Sequence, residues 1–508
     1  MPIRIKGLLL VCMSLWAQES EPPIFRANTQ LVQVDVVVKA KDVPVTGLTK
    51  EDFEVFDNGK PQQISVFSVR ELKAANAPKP ALPDGVFSNR PLNRGPEPVT
   101  ETIILIDSMN TPVADQGYVR LQILKYLAKA NRNEVIALYQ MDSTIKVLLP
   151  FTDDRDKVRA AVERFNMVQS LSLQDGQDGL LAGLTDNSAQ AARLFNLQRR
   201  VDVTSTIFEG LARHLKGLPG RKKLVWITEG VMPTVTQQTQ RNGVTMNDYY
   251  NFSEKLYAPV KSLNDANIAV YAIDPRGPML DMGDANLTTM IYFAQKTGGK
   301  AIYGTNDVAG EIEAAIADTD LTYTLGFYST EENRTAKPHN LHVEVKRKGV
   351  EVRYRESYSG TGLGTPITPT TRTGTINLSM HEPLEFTEIP VFASATPVAD
   401  RPGYYDVAVK IDISEFKLEE RSGRYKGNFE LAIAPDIENH QKGLRQTIAL
   451  TLTQERLLAA MNDGVTVVNR IRATDNKGKL MSKKLHVVVM DNATLKTGSV
   501  RVPIQLAK

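Results

Sequence analysis

Three acidic side chains stand where chemistry is most easily placed. Asp107 follows the apolar run Thr102-Ile103-Ile104-Leu105-Ile106. Glu229 comes two residues after Lys223-Leu224-Val225-Trp226-Ile227, and Asp274 follows Ile268 to Ile273. Unbroken apolar runs of this length read as strands buried on both faces. In an open α/β sheet, ligands gather beyond the carboxyl ends of such strands, where strand order reverses. Asp107 and Glu229 together suit a hard divalent cation, Mg²⁺, Mn²⁺ or Ca²⁺, because such ions take oxygen ligands. Asp274, which precedes Pro275, reads as a turn carboxylate. The bland alternative stays open, since carboxylates and hydroxyls at strand ends also cap helices and tie loops together.

Other chemistries find little support. The six histidines (His214, His339, His342, His381, His440, His486) form no His-Glu-x-x-His pair, and no Gly-x-Ser-x-Gly elbow is present. The stretch Gly217 to Lys222 has glycine and lysine without phosphate-loop spacing. It reads as a helix stop, and Arg221, Lys222 and Lys223 as a solvated turn. The net charge is +3, which gives no electrostatic footprint for nucleic acid. The sequence thus points away from an enzyme.

The elements that must position these carboxylates alternate between strand and helix over residues 99–330. A helix spans Tyr118 to Leu127 and a strand Val135 to Tyr139. A further strand covers Ile145 to Leu149, and a helix runs from about Thr206 to Leu215. Residues 248–265 read as helical, 170–190 as a polar surface insertion, and Leu321 to Tyr328 as the closing strand. The pattern predicts an α/β doubly wound, mostly parallel sheet with helices on both faces.

Around this core the pattern changes. Residues 28–73 read as a small N-terminal β unit and 74–98 as a linker. Residues 338–358 read as a β hairpin extension that packs with the N-terminal unit, and 359–374 as a second linker. Residues 375–508 read as a C-terminal all-β sandwich with one helix near Thr453 to Met461. A chain of 508 residues exceeds what one core holds.

Residues 1–17 look like a secretory signal peptide. Arg4 and Lys6 precede the apolar run Gly7 to Trp16, and Ala17 suits the position before a cleavage point. The expectation is export, to the periplasm or beyond the cell. No transmembrane segment is expected after the signal. Cys12, the one cysteine, lies inside it.

Several stretches resemble one known family. They are DFEVFDNGKPQQISVF from Asp52, ILIDSMNT from Ile104, FTDD from Phe151 and GLPGRKKLVWITEG from Gly217. VYAIDPRG from Val270, TYTLGFYS from Thr322 and VEVKRKGVEVRYRESY from Val343 complete the set. Over about residues 30–360 the chain resembles the VWFA-related family described from acidobacterial proteomes, whose central unit is a von Willebrand factor A-type domain. The resemblance implies a metal-ion-dependent adhesion site and a protein ligand whose acidic residue completes the coordination. Asp107 matches the first aspartate of that site, and Thr111 matches its second serine as a hydroxyl. Met109 stands where the first serine belongs, and a thioether is a poor ligand for a hard cation. The threonine of the second loop is Thr204 or Thr206, with Thr206 the choice here. Glu229 replaces an aspartate, and Asn110 offers an amide oxygen for the lost hydroxyl. The implied function is adhesion or protein–protein interaction through this altered site. A metal-free scaffold is the alternative, and a metal-assisted hydrolase a more distant one.

Overall fold

The computed structural model describes residues 30–71, 82–90, 101–129, 135–167, 186–241, 244–278, 284–318, 320–329, 338–359, 367–437 and 443–505. Residues 1–17, the expected signal peptide, lie outside them. The chain is mixed α/β. Among the described residues no helix is long and apolar enough to cross a membrane.

The carboxylates of interest belong to a six-stranded sheet. Its order is Lys300–Ile302, Ile268–Ile273, Lys222–Ile227, Glu101–Asp107, Val135–Met141, Ile145–Thr152. The first five strands are parallel, and the last is an antiparallel edge. Every residue of the four middle strands is buried, because helices cover both faces. On one face Leu105 and Trp226 meet Phe208 of helix Asp186–Leu215 and Phe293 of helix Ala285–Thr297. Phe208, Trp226 and Phe293 pack edge to face at 4.9 to 5.9 Å. On the other face Ile104, Ile106 and Val225 meet helices Val113–Lys129 and Val308–Ala317. After Glu101–Asp107 the chain builds outward to one side, then returns to lay Lys222–Ile227 on the other. The order therefore reverses between the strands that end in Asp107 and Ile227.

The remaining sheets are antiparallel, and here the structure departs from the sequence reading. Leu321–Ser329 does not close the central sheet. It lies between Gln30–Ala40 and Val66–Glu71. A second sheet pairs Phe53–Asp57 with Pro338–Val345. The two sheets enclose a core that includes Val34, Val36, Phe53, Tyr323, Phe327 and Val343. Leu321–Ser329 is buried along almost its whole length. Unbroken burial looks the same in sequence whichever sheet supplies the cover.

The C-terminal unit packs the sheet of Val391–Pro397, Tyr404–Ile411 and Val465–Arg472 against that of Arg424–Pro435, Lys484–Asp491 and Thr497–Pro503. Tyr405, Val409, Leu431, Val487 and Val500 fill the space between. Two expected linkers are partly structured. Within 74–98, Phe87–Ser88 pairs with the Val391–Pro397 strand, and the Asn89 amide bonds Phe386 O and Ile389 O, both at 2.7 Å. Residues 72–81 and 91–100 lie outside the described set. Within 359–374, a helix Pro369–His381 begins, capped by Thr368 with proline in its first turn. It buries Ile376 and Met380 on Ala432, Val488 and Met490, so the C-terminal unit is not all β.

Smaller departures concern helices and charges. The helix expected from Thr206 starts at Asp186. Residues 244–251 form a strand before the helices Ser253–Tyr257 and Pro259–Asp265. Arg221, Lys222 and Lys223 are buried rather than solvated. Carbonyls take donors from each head: Arg221 reaches Asp35 O (3.0 Å) and Gly298 O (2.6 Å), Lys222 reaches Leu218 O (2.7 Å), and Lys223 reaches Ile316 O. Burial pulls the Lys222 ammonium down to about 8.

Gly217 joins the central unit to the C-terminal sandwich at close range. A Cβ there would sit 1.7 Å from Thr387 O. Gly217→Ala is expected to lower stability by about 1–3 kcal/mol through forced separation of the two backbones. Urea unfolding checks this, and an unchanged midpoint would refute it.

Candidate functional site at the carboxyl edge of the central sheet

Asp107 ends its strand fully buried. Four donors converge on it. Oδ1 accepts the Asn110 backbone N–H (2.9 Å). Oδ2 accepts Asn110 Nδ2 (2.8 Å), Thr228 Oγ1 (2.8 Å) and Trp226 Nε1 (3.0 Å). Burial pushes the carboxyl pKa up, and these bonds pull it back. Met109 turns into the core beneath the sheet. Its sequence position is that of a ligand, but its side chain packs with Leu105 and Trp226.

Asn110 links this carboxylate to a guanidinium. Its Nδ2 also lies 3.2 Å from Thr204 Oγ1, and its Oδ1 accepts Arg200 Nε at 2.8 Å. Arg200 Nη2 reaches Gly230 O at 3.2 Å. The amide oxygen proposed as a replacement ligand is thus engaged by a cation of the protein itself. Arg200 and Thr204 stand four residues apart on helix Asp186–Leu215 and so share a face. Thr206 does not join them. It is exposed, and its hydroxyl bonds back to Asp202 O at 2.8 Å. The sequence choice between Thr204 and Thr206 therefore falls on Thr204. Thr111 lies beside Asn110, buried, and its Oγ1 has no hydrogen-bond partner among the described residues.

Glu229 sits in the next loop, held by a tight turn. Gly230 follows at φ 79°, and a Cβ there would come within 2.5 Å of Asn286 O. Burial raises the Glu229 carboxyl to about 8, and the Asp115 carboxylate adds to the rise. Arg276 pulls the other way, with its Nε 3.8 Å from Glu229 Oε2. That guanidinium is already shared. Nη2 meets Asp274 Oδ2 and Nη1 meets Asp284 Oδ2, both at 2.6 Å. Asp274 also accepts the Arg276 backbone N–H at 2.9 Å, as a turn carboxylate does.

A divalent cation does not fit this donor set. Asp107 has both oxygens engaged, Asn110 gives its oxygen to Arg200, and the Thr204 hydroxyl, which stands in place of the distant Thr206, lies 3.2 Å from Asn110 Nδ2. Burial and the Asp115 carboxylate raise the Glu229 carboxyl to about 8, so it must release a proton before it can hold a cation. The Thr111 hydroxyl and Glu229 Oε1 are buried without a hydrogen bond among the described residues. Among the described residues, no group of three or more His, Cys, Asp or Glu is arranged to hold a metal. The sequence reading missed Arg200, Trp226 and Asp115. Arg200 carried a signal, its four-residue spacing from Thr204, but only with the helix extended upstream of Thr206.

No known family profile matches the chain, and no curated protein does. Among solved structures, an aerotolerance-related membrane protein from Bacteroides fragilis shares 15% identity over 43% of this chain and 98% of its own, at a TM-score of 0.26. A von Willebrand factor type A structure from Catenulispora acidiphila shares 9% identity over 63% of this chain and 81% of its own, at 0.26. Proximal thread matrix protein 1 from the mussel byssus, with a zinc-occupied MIDAS motif, shares 10% over 46% and 48%, at 0.27. Likeness at this level says nothing about what this chain binds.

Proposed function

We propose that the chain is an exported, non-enzymatic interaction protein built on a von Willebrand A-type, doubly wound domain, and that its recognition face works without metal. The order reversal beside Asp107, and the family-like stretches that run in order along residues 30–360, support the A-type reading. The observation that carries the metal-free part is Arg200. Its guanidinium, bonded to Asn110 and Gly230, supplies next to Asp107 the positive charge that a divalent ion supplies in an adhesion site. A protein partner then binds across this edge by shape and hydrogen bonding, and no acidic residue completes a coordination sphere. Export, to the periplasm or beyond the cell, rests on residues 1–17. The non-enzymatic role rests on a sequence without nucleophile or zinc motifs.

Thermal unfolding in EDTA, then with Mg²⁺, Mn²⁺ and Ca²⁺ in turn, tests the reading. No ion at millimolar concentration is expected to move the midpoint. An ion present at a hundred times its dissociation constant would add ~2.7 kcal/mol, a visible rise. A rise that disappears in Thr111→Val would return the protein to the metal-dependent class.

A further inference from the structure

A cavity of about 800 Å³ opens between the central sheet and the C-terminal sandwich. Much of its wall is apolar. Val86 and Phe87 come from the segment laid on the sandwich edge, Val147 and Phe151 from the antiparallel edge strand, and Leu384 from the sandwich side. Phe87 remains 36% exposed and Val147 43%. At one end, Tyr139 OH meets His214 Nε2 at 2.8 Å, and His214 Nδ1 meets Glu385 O. Burial pulls the His214 pKa down to about 4, so this pair is neutral and satisfied.

The cations of the cavity are satisfied only in part. The Arg90 head donates to the Gly217 carbonyl and, among the described residues, has no acidic partner within ion-pair distance. The Lys484 ammonium has no hydrogen-bond or ion-pair partner among the described residues. Arg501 engages Asp436 Oδ2 (3.1 Å) and Glu382 O (2.7 Å), and its Nη1 is buried without a bond among the described residues. One lining carboxyl, Glu385, accepts the Arg501 backbone N–H at 2.8 Å, and burial pushes its pKa up. The cavity therefore combines apolar walls with three lining cations, Arg90, Lys484 and Arg501, against one lining carboxyl, Glu385; Asp436 pairs with Arg501, and Glu415, Asp412 and Glu101 act on Arg90 from further off. Arg90 is only partly exposed and has no ion-pair partner among the described residues; such a cation is costly, and an anion from outside removes that cost.

We propose that this cavity is a binding site for a carboxylic acid with an apolar body, its carboxylate held by Arg90, Arg501 and Lys484 and its hydrocarbon laid on Phe87, Val147 and Phe151. The volume is that of small-molecule sites, which favour domain junctions with a few convergent polar groups. Guanidinium forks match a carboxylate in plane and spacing. The site is separate from the Asp107 edge and does not depend on how that edge is read.

Isothermal titration of the purified chain with octanoate, and with octan-1-ol as its uncharged counterpart, tests the proposal. Octanoate is expected to bind once per chain and at least about tenfold more tightly than octanol, the gain of a charge-assisted contact. Arg90→Met is expected to remove that preference. Lys484→Met, at an exposed position and so safe for folding, is expected to weaken octanoate and leave octanol unchanged. Val147→Trp, which fills the cavity, is expected to abolish both. No octanoate binding at millimolar concentration would overturn the proposal. So would equal binding of acid and alcohol, or octanoate affinity unaltered in Lys484→Met and Val147→Trp.

Discussion

Asp107→Ala is expected to destabilise the native state by on the order of 3–5 kcal/mol, measured by urea unfolding at neutral pH. The substitution removes the acceptor of four hydrogen bonds at once. Their donors are the Asn110 backbone and amide, Trp226 Nε1 and Thr228 Oγ1. All three residues are buried, so water does not replace the lost acceptor. The damage spreads in two directions. Trp226 packs with Phe208 and Phe293 in the core, and Asn110 positions Arg200. A metal site makes the opposite forecast. There, loss of an acidic ligand costs little in chelator and shows its effect only when the ion is present. The loss expected here is the same in EDTA and in Mg²⁺. A cost below about 1 kcal/mol would remove Asp107 from its place as the hub of this edge.

That hub was half legible in the sequence. Asp107 and Glu229 stood out because they stand at or just past the ends of apolar strands, and such strands are the easiest elements to read. Glu101–Asp107, Lys222–Ile227 and Ile268–Ile273 have no exposed residue to break the run. The threonine choice failed for a helical reason. Residues two apart on a helix face nearly opposite directions. Thr204 therefore looks at Asn110 while Thr206 looks at solvent, and only the true start at Asp186 shows that Arg200 shares the inner face. Spacing alone did not carry that information.

The other misreadings share one cause, which is that sequence reports burial without naming the cover. Leu321–Ser329 looks like a parallel core strand and lies in an antiparallel sheet between two N-terminal strands. Arg221, Lys222 and Lys223 look like a wet turn. They are buried because carbonyls from Asp35, Gly298, Leu218 and Ile316 take their donors. Three of those four carbonyls lie far away along the chain. Long-range partners of this kind also explain Asn89, a linker residue by composition whose amide is fixed by Phe386 and Ile389.

Stability should also fall between pH 6.5 and 8, and Glu229→Gln should reduce the fall. The Glu229 carboxyl is raised from 4.5 to about 8 by burial, with Asp115 adding to the rise. Between those values the folded chain holds a proton that the unfolded chain has released. Stability contributed by that proton is full at low pH and is lost as pH climbs through the folded value. Two other groups bound the useful window. His214, pulled down to about 4, makes stability rise with pH up to about 6.5. Lys222, pulled down to about 8, makes it rise above that value. Between the two, Glu229 adds a downward slope of at most about 2 kcal/mol across 1.5 pH units, and the buried Asp107 and Glu385 carboxyls, also raised, act in the same direction. Glutamine mimics the protonated acid in shape and donor, so Glu229→Gln should match the wild type near pH 6 and exceed it at pH 8. Urea midpoints at several pH values read this directly. If the variant and the wild type keep parallel profiles across the window, Glu229 is ionised in the fold. The second carboxylate of a cation site would then be present after all.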